Sequence, residues 1–285
     1  MAVPPSPPST TQPGLPSGPP GDRRRRRLAG PILLVAAILA ATVAVVVGTH
    51  RPDSHPAPPA APEFFVPELA VEPGSAVPAD AAIAPRAARP KTRPTTAAVR
   101  DWATTLAEKT QIPSRSLVAY AEAELAVRAS RPACRLSWAT LAGVGRVESH
   151  HGRFNGSDVG SDGLLSPPIF GVPLDGSPGV RAIPDTDRGA LDGDRRWDRA
   201  VGAMQFLPQT WSRYGTRASG DGKRPDPQNI DDAALTAAHY LCASGGNLST
   251  AAGWWRAVLR YNSSDTYGRD VFSGADAYAK AAAKL

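Results

Sequence analysis

Cys134 and Cys242 are the only cysteines and there are just five histidines, so the side chains that usually hold transition metals are scarce. The two cysteines lack any Cys-x-x-Cys spacing, His150 and His151 are adjacent, and His239 is remote, so neither a zinc knuckle nor a His-Glu-x-x-His pattern can be assembled. No metal and no cofactor is expected. Gly-x-Ser-x-Gly is also missing, which removes the usual sequence support for Ser/His/Asp catalysis. Gly143-Val-Gly145 has no third glycine and no strand before it, so it is not a dinucleotide loop. Strand-like runs are few and internal repeats are lacking, which argues against a doubly wound sheet. A one-sided charge is lacking too, once the net +6 is apportioned: residues 1–94 hold 10 basic and 6 acidic groups, residues 95–285 hold 22 and 20. A nucleic-acid partner therefore loses its main support.

What is abundant is proline, and it is unevenly placed. Twenty of the 30 prolines precede Thr95, while all six tryptophans follow it. Only the later part has the composition of a domain with a core. Within the earlier part, Arg23 to Arg27 stand directly before the 21 uncharged residues Leu28–Gly48, long enough as a helix to cross about 30 Å of hydrocarbon. The arginines place the N-terminus on the cytoplasmic side. A cleaved signal peptide competes with this reading, but 22 residues rich in Pro and Ser precede the arginines and no small-x-small cleavage site closes the apolar run. The expected organisation is a disordered cytoplasmic tail over 1–27, a single transmembrane helix over 28–48 that anchors the chain in the cell membrane, a Pro/Ala-rich linker over 49–94, and an extracytoplasmic domain over 95–285. In polyproline geometry the linker reaches on the order of 100 Å or more. Cys134 and Cys242 then lie in an oxidising space and are expected to form a disulfide, worth about 4–5 kcal/mol in the chain-entropy account.

From Thr96 onward apolar residues recur at three- and four-residue spacing. Helices are predicted over Thr96–Thr110, Ser114–Ser130 behind Pro113, and Ser137 to about His150. Further on, Pro208 opens a short helix that Gly215 ends, Asp231 caps one that Gly245 and Gly246 stop, and two more follow from about Thr250 and Thr266. Gly152–Arg199 is rich in Gly, Pro and Asp, without periodicity, and too long for an ordinary connection. The fold class is mainly α, with one long irregular insertion.

Glu148 closes the apolar stretch that begins at Leu141. Helical spacing back from it meets Gly145, Val144 and Leu141, so its carboxyl leaves the apolar stripe. Desolvation there would raise its pKa towards the range of a proton donor near neutrality. A glutamate paired with Arg146 or Arg153 is the plainer alternative. Gly145-Arg-Val-Glu148-Ser149-His-His-Gly152, then Val201-Gly-Ala-Met-Gln205-Phe-Leu-Pro208, then Tyr261-Asn262, in this order, resemble the motifs of lytic transglycosylases of the membrane-bound B type and their actinobacterial relatives. The resemblance covers about residues 96–285. It implies a lysozyme-like fold and cleavage of the MurNAc–GlcNAc bond of peptidoglycan glycan strands, leaving 1,6-anhydro ends. It places the sole acid/base on Glu148 and substrate contacts on Ser149, Met204, Gln205, Tyr261 and Asn262. In this family a Tyr, here Tyr261, closes over the carboxyl. Ser149 is alternatively a helix-end serine bonding its own backbone. Where the family often has proline this chain has Ala203.

Trp197, Trp211 and Tyr267 are candidate platforms for sugar rings, with core positions as the alternative, and at least one of Trp254 and Trp255 is expected in the core. Asp185, Asp187, Asp192, Asp194 and Asp198 could shape a groove, bind a cation or act as a base. Around Asp221 the alternating acids of a calcium loop are missing, so no calcium site is expected there. His150 and His151 are expected to be solvated or helix-capping. Two rivals stand beside the main reading: a hydrolytic muramidase in which Asp187 activates water, and a catalytically idle wall-binding scaffold. The sequence names no protein partner.

Overall fold

In the computed structural model of this protein residues 64–83 and 93–285 are described, and seven α-helices dominate these described residues. The expected cytoplasmic tail and transmembrane helix, with residues 49–63 and 84–92 of the expected linker, lie outside the described residues. Among the described residues no helix is long and apolar enough to cross a membrane.

Local signals set the helix ends. Helix α1, Thr96–Thr110, starts where the Thr95 hydroxyl accepts the Ala98 N–H and stops at Gln111 in the left-handed region. Helix α2, Ser114–Ser130, follows Pro113. Helix α3, Trp138–Ser149, is capped by Ser137 and closed by His150 at φ 51°. Helix α4, Pro208–Tyr214, carries proline in its first turn. Helix α5, Ile230–Gly245, corrects one expectation: its cap is Asn229, whose side chain accepts from the Asp231 and Asp232 N–H groups. Asp231 sits inside the first turn, where its charge suits the helix dipole and meets Arg115. Helices α6, Ala251–Tyr261, and α7, Asp265–Ala282, are capped by Thr250 and Ser264.

Helix α3 lies in the centre and packs most extensively on α7. Gly143 permits this, and Gly145 permits the close approach of Tyr120 from α2. A Cβ on Gly143 would fall 2.4 Å from the Val271 carbonyl oxygen, and one on Gly145 would fall 2.1 Å from the Tyr120 hydroxyl. Gly145→Ala is expected to cost about 1–3 kcal/mol through overpacking, read as a lower urea midpoint with an unchanged slope. At the other end of α3, buried Glu124 accepts the Trp138 N–H at 2.6 Å and pairs with Arg128, while burial pushes its carboxyl up to about 7. The Cys134–Cys242 disulfide is formed and ties the turn after α2 to α5, with the Leu248 N–H donating to the Cys134 carbonyl at 2.7 Å. Both Trp254 and Trp255 are buried.

The expectation of a linker up to residue 94 needs correcting, because residues 64–83 pack against the helices. Phe64 stacks on Tyr278 with ring centroids 5.5 Å apart. The Leu69 N–H donates to Ser273 Oγ (3.0 Å), and the Val71 carbonyl accepts from Arg269 (3.1 Å). After a turn at Glu72–Ser75 the chain returns. Its Ala76 and Ala81 carbonyls accept the indole N–H groups of Trp255 (2.9 Å) and Trp138 (3.0 Å), the Ala79 N–H donates to Asp276 (3.0 Å), and Ile83 is buried. This strap clasps α7 because its backbone groups find side-chain partners there, which composition does not reveal.

Between α3 and α4 the chain is irregular, as expected. It contains the two-residue strands β1, Asp158–Val159, and β2, Leu165–Ser166, paired antiparallel with Asp158 opposite Ser166. Aspartates hold the rest by accepting backbone N–H groups: Asp185 from Asp187 and Gly189, Asp187 from Ala190 and Leu191, Asp192 from Asp194 and Arg199, and Asp194 from Arg196 and Trp197. Shaping the loop is what these residues do.

Candidate active site

The C-terminal end of α3, the turn before α4 and the start of α7 meet around Glu148. Leu141, Val144 and Gly145 are buried as the spacing requires, and Glu148 is half-buried. Burial pushes its carboxyl up to about 7, and a 2.6 Å hydrogen bond from the Tyr267 hydroxyl to Oε1 partly opposes the shift. Among the described residues Glu148 has no ion pair, since Arg153 is turned to Asp158. The plainer reading of a salt-bridged helix-end glutamate therefore fails.

Tyr267 corrects the sequence reading, which made it a candidate sugar platform. It is buried, and its hydroxyl is committed to Glu148. Tyr261, expected to close over the carboxyl, donates instead to the Met204 carbonyl at 2.7 Å, although it lies near enough to feel the Glu148 charge. Burial, the largest cause, drives both phenols well above their ordinary pKa, so both stay neutral donors. A tyrosine in the first turn of α7 that points back to the end of α3 carries no sequence signal by itself.

The turn Gly202–Phe206 is a small hairpin closed by reciprocal bonds between Val201 and Phe206 (2.9 and 3.1 Å). Gly202 has φ 76°, and a Cβ there would fall 1.8 Å from the Pro227 carbonyl oxygen, so only glycine fits. Gln205 takes φ 45° and donates from Nε2 to the Gly202 carbonyl at 2.9 Å, while its Oε1 faces Gly171. Holding a glutamine in the left-handed region costs conformational energy, which the turn supplies.

Two of the expected substrate contacts are relocated. Ser149 is buried and bonds neither Glu148 nor open space. Its hydroxyl donates to the Ala203 carbonyl (2.6 Å) and accepts the Gly152 N–H (2.8 Å), which locks the end of α3 to the Gly202–Phe206 turn. Met204 is fully buried, with its sulfur on the Gly145 side. Neither side chain is open to a sugar. Asn262 is exposed at the end of α6, and its N–H donates to the Val258 carbonyl.

Of the aromatic candidates, Trp211 is buried against Phe206, and Trp197 is half-buried under Arg196. An exposed ring next to this turn is that of Phe170, 40% accessible and paired through its backbone with Val201. It adjoins the Gly171 that faces Gln205. An aromatic within a Pro/Gly-rich stretch was the only sequence hint of it.

His151 is another departure from expectation. It is buried, 3.3 Å from the Tyr120 hydroxyl and 3.1 Å from the Tyr278 hydroxyl, and burial pulls its pKa down to about 3, so the ring is neutral. Among the described residues one group could hold a cation: Asp185, Asp187 and Asp198, with one oxygen each within 4.8 Å of one another. The Asp198 carboxylate already accepts the Thr186 N–H and hydroxyl, as Asp185 and Asp187 accept backbone donors. At Asp221 the carboxylate is engaged by Arg217, whose hydrogen bonds hold its pKa well below the usual range.

A family model described as a transglycosylase SLT domain matches residues 186–255. The matched stretch runs from the aspartate-rich loop through the Gln205 turn, α4 and α5 into α6. No curated protein and no solved structure matches the chain. The match supports a family of lytic transglycosylases with lysozyme-like domains, and the mainly helical architecture is consistent with such a domain.

Proposed function

We propose that this protein is an enzyme, a peptidoglycan lytic transglycosylase that acts as a glycosidic-bond lyase, as the match to an SLT domain supports. We propose that it is of the membrane-bound B type, that it cleaves the MurNAc–GlcNAc bond with Glu148 as sole acid/base, and that it leaves 1,6-anhydro ends. The observation that carries this reading is one half-buried carboxyl, held near neutrality by burial and bonded by an un-ionised phenol. Such a group is protonated often enough to act as an acid and ionises readily enough to act as a base.

The reaction balances without water. Glu148 gives its proton to the bridging oxygen as the C1–O bond breaks, and the departing sugar leaves as an alcohol. The acetamido oxygen of the MurNAc residue bonds to the electron-poor C1. The Glu148 carboxylate then takes the proton of the C6 hydroxyl while O6 attacks C1 and displaces the acetamido oxygen, which restores the acid. Tyr267 fixes which carboxyl oxygen is free. Gln205 offers a donor and an acceptor beside the exposed Phe170 ring, a combination suited to a sugar's polar edge and apolar face. The rival hydrolytic base, Asp187, already accepts two backbone N–H groups in its own loop.

Mass analysis of products from purified peptidoglycan tests the proposal. Ends lighter by one water support it, and reducing ends would show hydrolysis. Because the first step needs the protonated carboxyl, kcat/KM is expected to fall as pH rises through about 7. Tyr267→Phe removes a bond that favours the carboxylate. It should move that alkaline limb upward by about one pH unit while lowering the rate roughly tenfold.

Residues 28–48 complete the proposal as a single-pass anchor with residues 1–27 in the cytoplasm, displaying the enzyme in the wall. A protease-protection assay on membrane vesicles, with an antibody to the N-terminus, checks that orientation.

A further inference from the structure

On the face of α3 turned away from Glu148 lies a cavity of about 490 Å³, lined by Arg146, His150 and Arg153 on one side and by Phe64, Phe65 and Tyr278 among others. Residues two apart on a helix point in nearly opposite directions, so Arg146 and Glu148 leave the same turn on opposite sides. Among the described residues no carboxylate lines the cavity. Among the described residues Arg146 has neither an ion pair nor a hydrogen bond for its guanidinium. Only its stem is accounted for, lying against Gly274. Arg153 donates to the Gln111 carbonyl at 3.2 Å and stands 3.5 Å from Asp158, which leaves it only partly neutralised.

We propose that this cavity takes the carboxylate-bearing stem peptide of the glycan strand being cleaved, an inference that rests on the function proposed above. The half-buried, uncompensated guanidinium calls for an anion, and Arg is the side chain suited to a planar carboxylate. Phe64, stacked on the buried Tyr278, and the 79% exposed Phe65 at the rim call for aliphatic surface next to that charge, which bare phosphate lacks. The volume is that of a small organic ligand. Reach agrees as well: a helix is roughly 10–12 Å across, and an extended peptide covers about 3.3–3.6 Å per residue. Three or four residues hanging from a sugar at Glu148 can therefore pass round the end of α3. Since Phe64 and Phe65 belong to the strap, the strap supplies one wall of a specificity pocket.

The test compares kcat/KM on glycan strands carrying their peptides with that on the same strands stripped by an amidase, for the full-length protein, Arg146→Gln and Phe65→Ala. The ratio of the two values should fall about ten- to a hundredfold in Arg146→Gln, the worth of a charge-assisted contact, and by less in Phe65→Ala. Phe65 is so exposed that its loss leaves folding intact. An unchanged ratio in both variants overturns the proposal. Titration of a synthetic tetrapeptide stem onto the full-length protein supplies a readout independent of cleavage. Binding that weakens with salt and is lost in Arg146→Gln supports the pocket, whereas no binding, or displacement by an equal concentration of inorganic phosphate, overturns it. Should the parent cleave neither strand while still binding the tetrapeptide, the functional reading fails and the pocket stands.

Discussion

Glu148→Gln is expected to abolish release of soluble fragments from peptidoglycan, with a loss of about 10²–10⁴ in kcat, the range for removing a positioned acid/base. Gln keeps the shape and still accepts from Tyr267, so the loss reports the proton rather than the fold. Stability should move the other way. The folded-state pKa of Glu148 is near 7, above the 4.5 of the unfolded chain. Between those pH values the unfolded chain releases a proton that the folded protein retains, so the carboxyl costs stability as pH rises through this window. Below about 4.5 both states are protonated and the substitution changes little. At pH 8 the Glu148→Gln protein should be more stable by about 1–2 kcal/mol, the full shift being discounted for partial solvation. Equal midpoints at pH 4 and pH 8 for parent and variant would remove the buried-acid account, fragment release retained in the variant would move the acid/base away from Glu148, and no release by the parent would favour an idle scaffold.

The second large effect concerns the strap. A chain beginning at Arg93, compared with one beginning at Pro62, leaves the Trp138 and Trp255 indoles without their carbonyl partners and uncovers Tyr278 and the pocket of Ile83. Each large apolar side chain returned to water costs about 1.5–3 kcal/mol, offset by the freedom the strap regains. A net loss of about 3–5 kcal/mol is expected, or roughly 6–20 °C in melting temperature for a domain of this size. Calorimetry of the two fragments decides the matter. Matching curves would mean that the strap adds nothing.

Helices were legible because each has an apolar period and a visible start or stop: Thr95, Ser137, Pro208 and Thr250 fall where polar caps or a first-turn proline should. Asp231 misled because Asn229, two residues earlier, is an equally good cap and lies where the chain turns into α5. The strap was illegible because Pro and Ala hide its few apolar anchors, and because its backbone bonds go to side chains about 200 residues away. At the site, Glu148 could be found from local spacing. The partner that orients it could not, because Tyr261 and Tyr267 are both plausible in sequence and only the crossing of α7 over α3 chooses between them. Ser149 and Met204 belong to short motifs near the carboxyl, yet they serve by holding backbone segments together.

Gly143 and Gly145 have an effect beyond close packing. Each glycine makes a helix interior less favourable by about 1 kcal/mol relative to alanine, and a twelve-residue segment is already marginal alone. A synthetic peptide spanning 137–150 should therefore be unstructured in water. In the intact protein the amides of 143–148 should exchange with deuterium only when the whole molecule opens, because neighbours rather than intrinsic preference keep that segment wound. The proposed acid/base, Glu148, thus rides on borrowed rigidity, and any loosening of the surrounding helices should be felt there early.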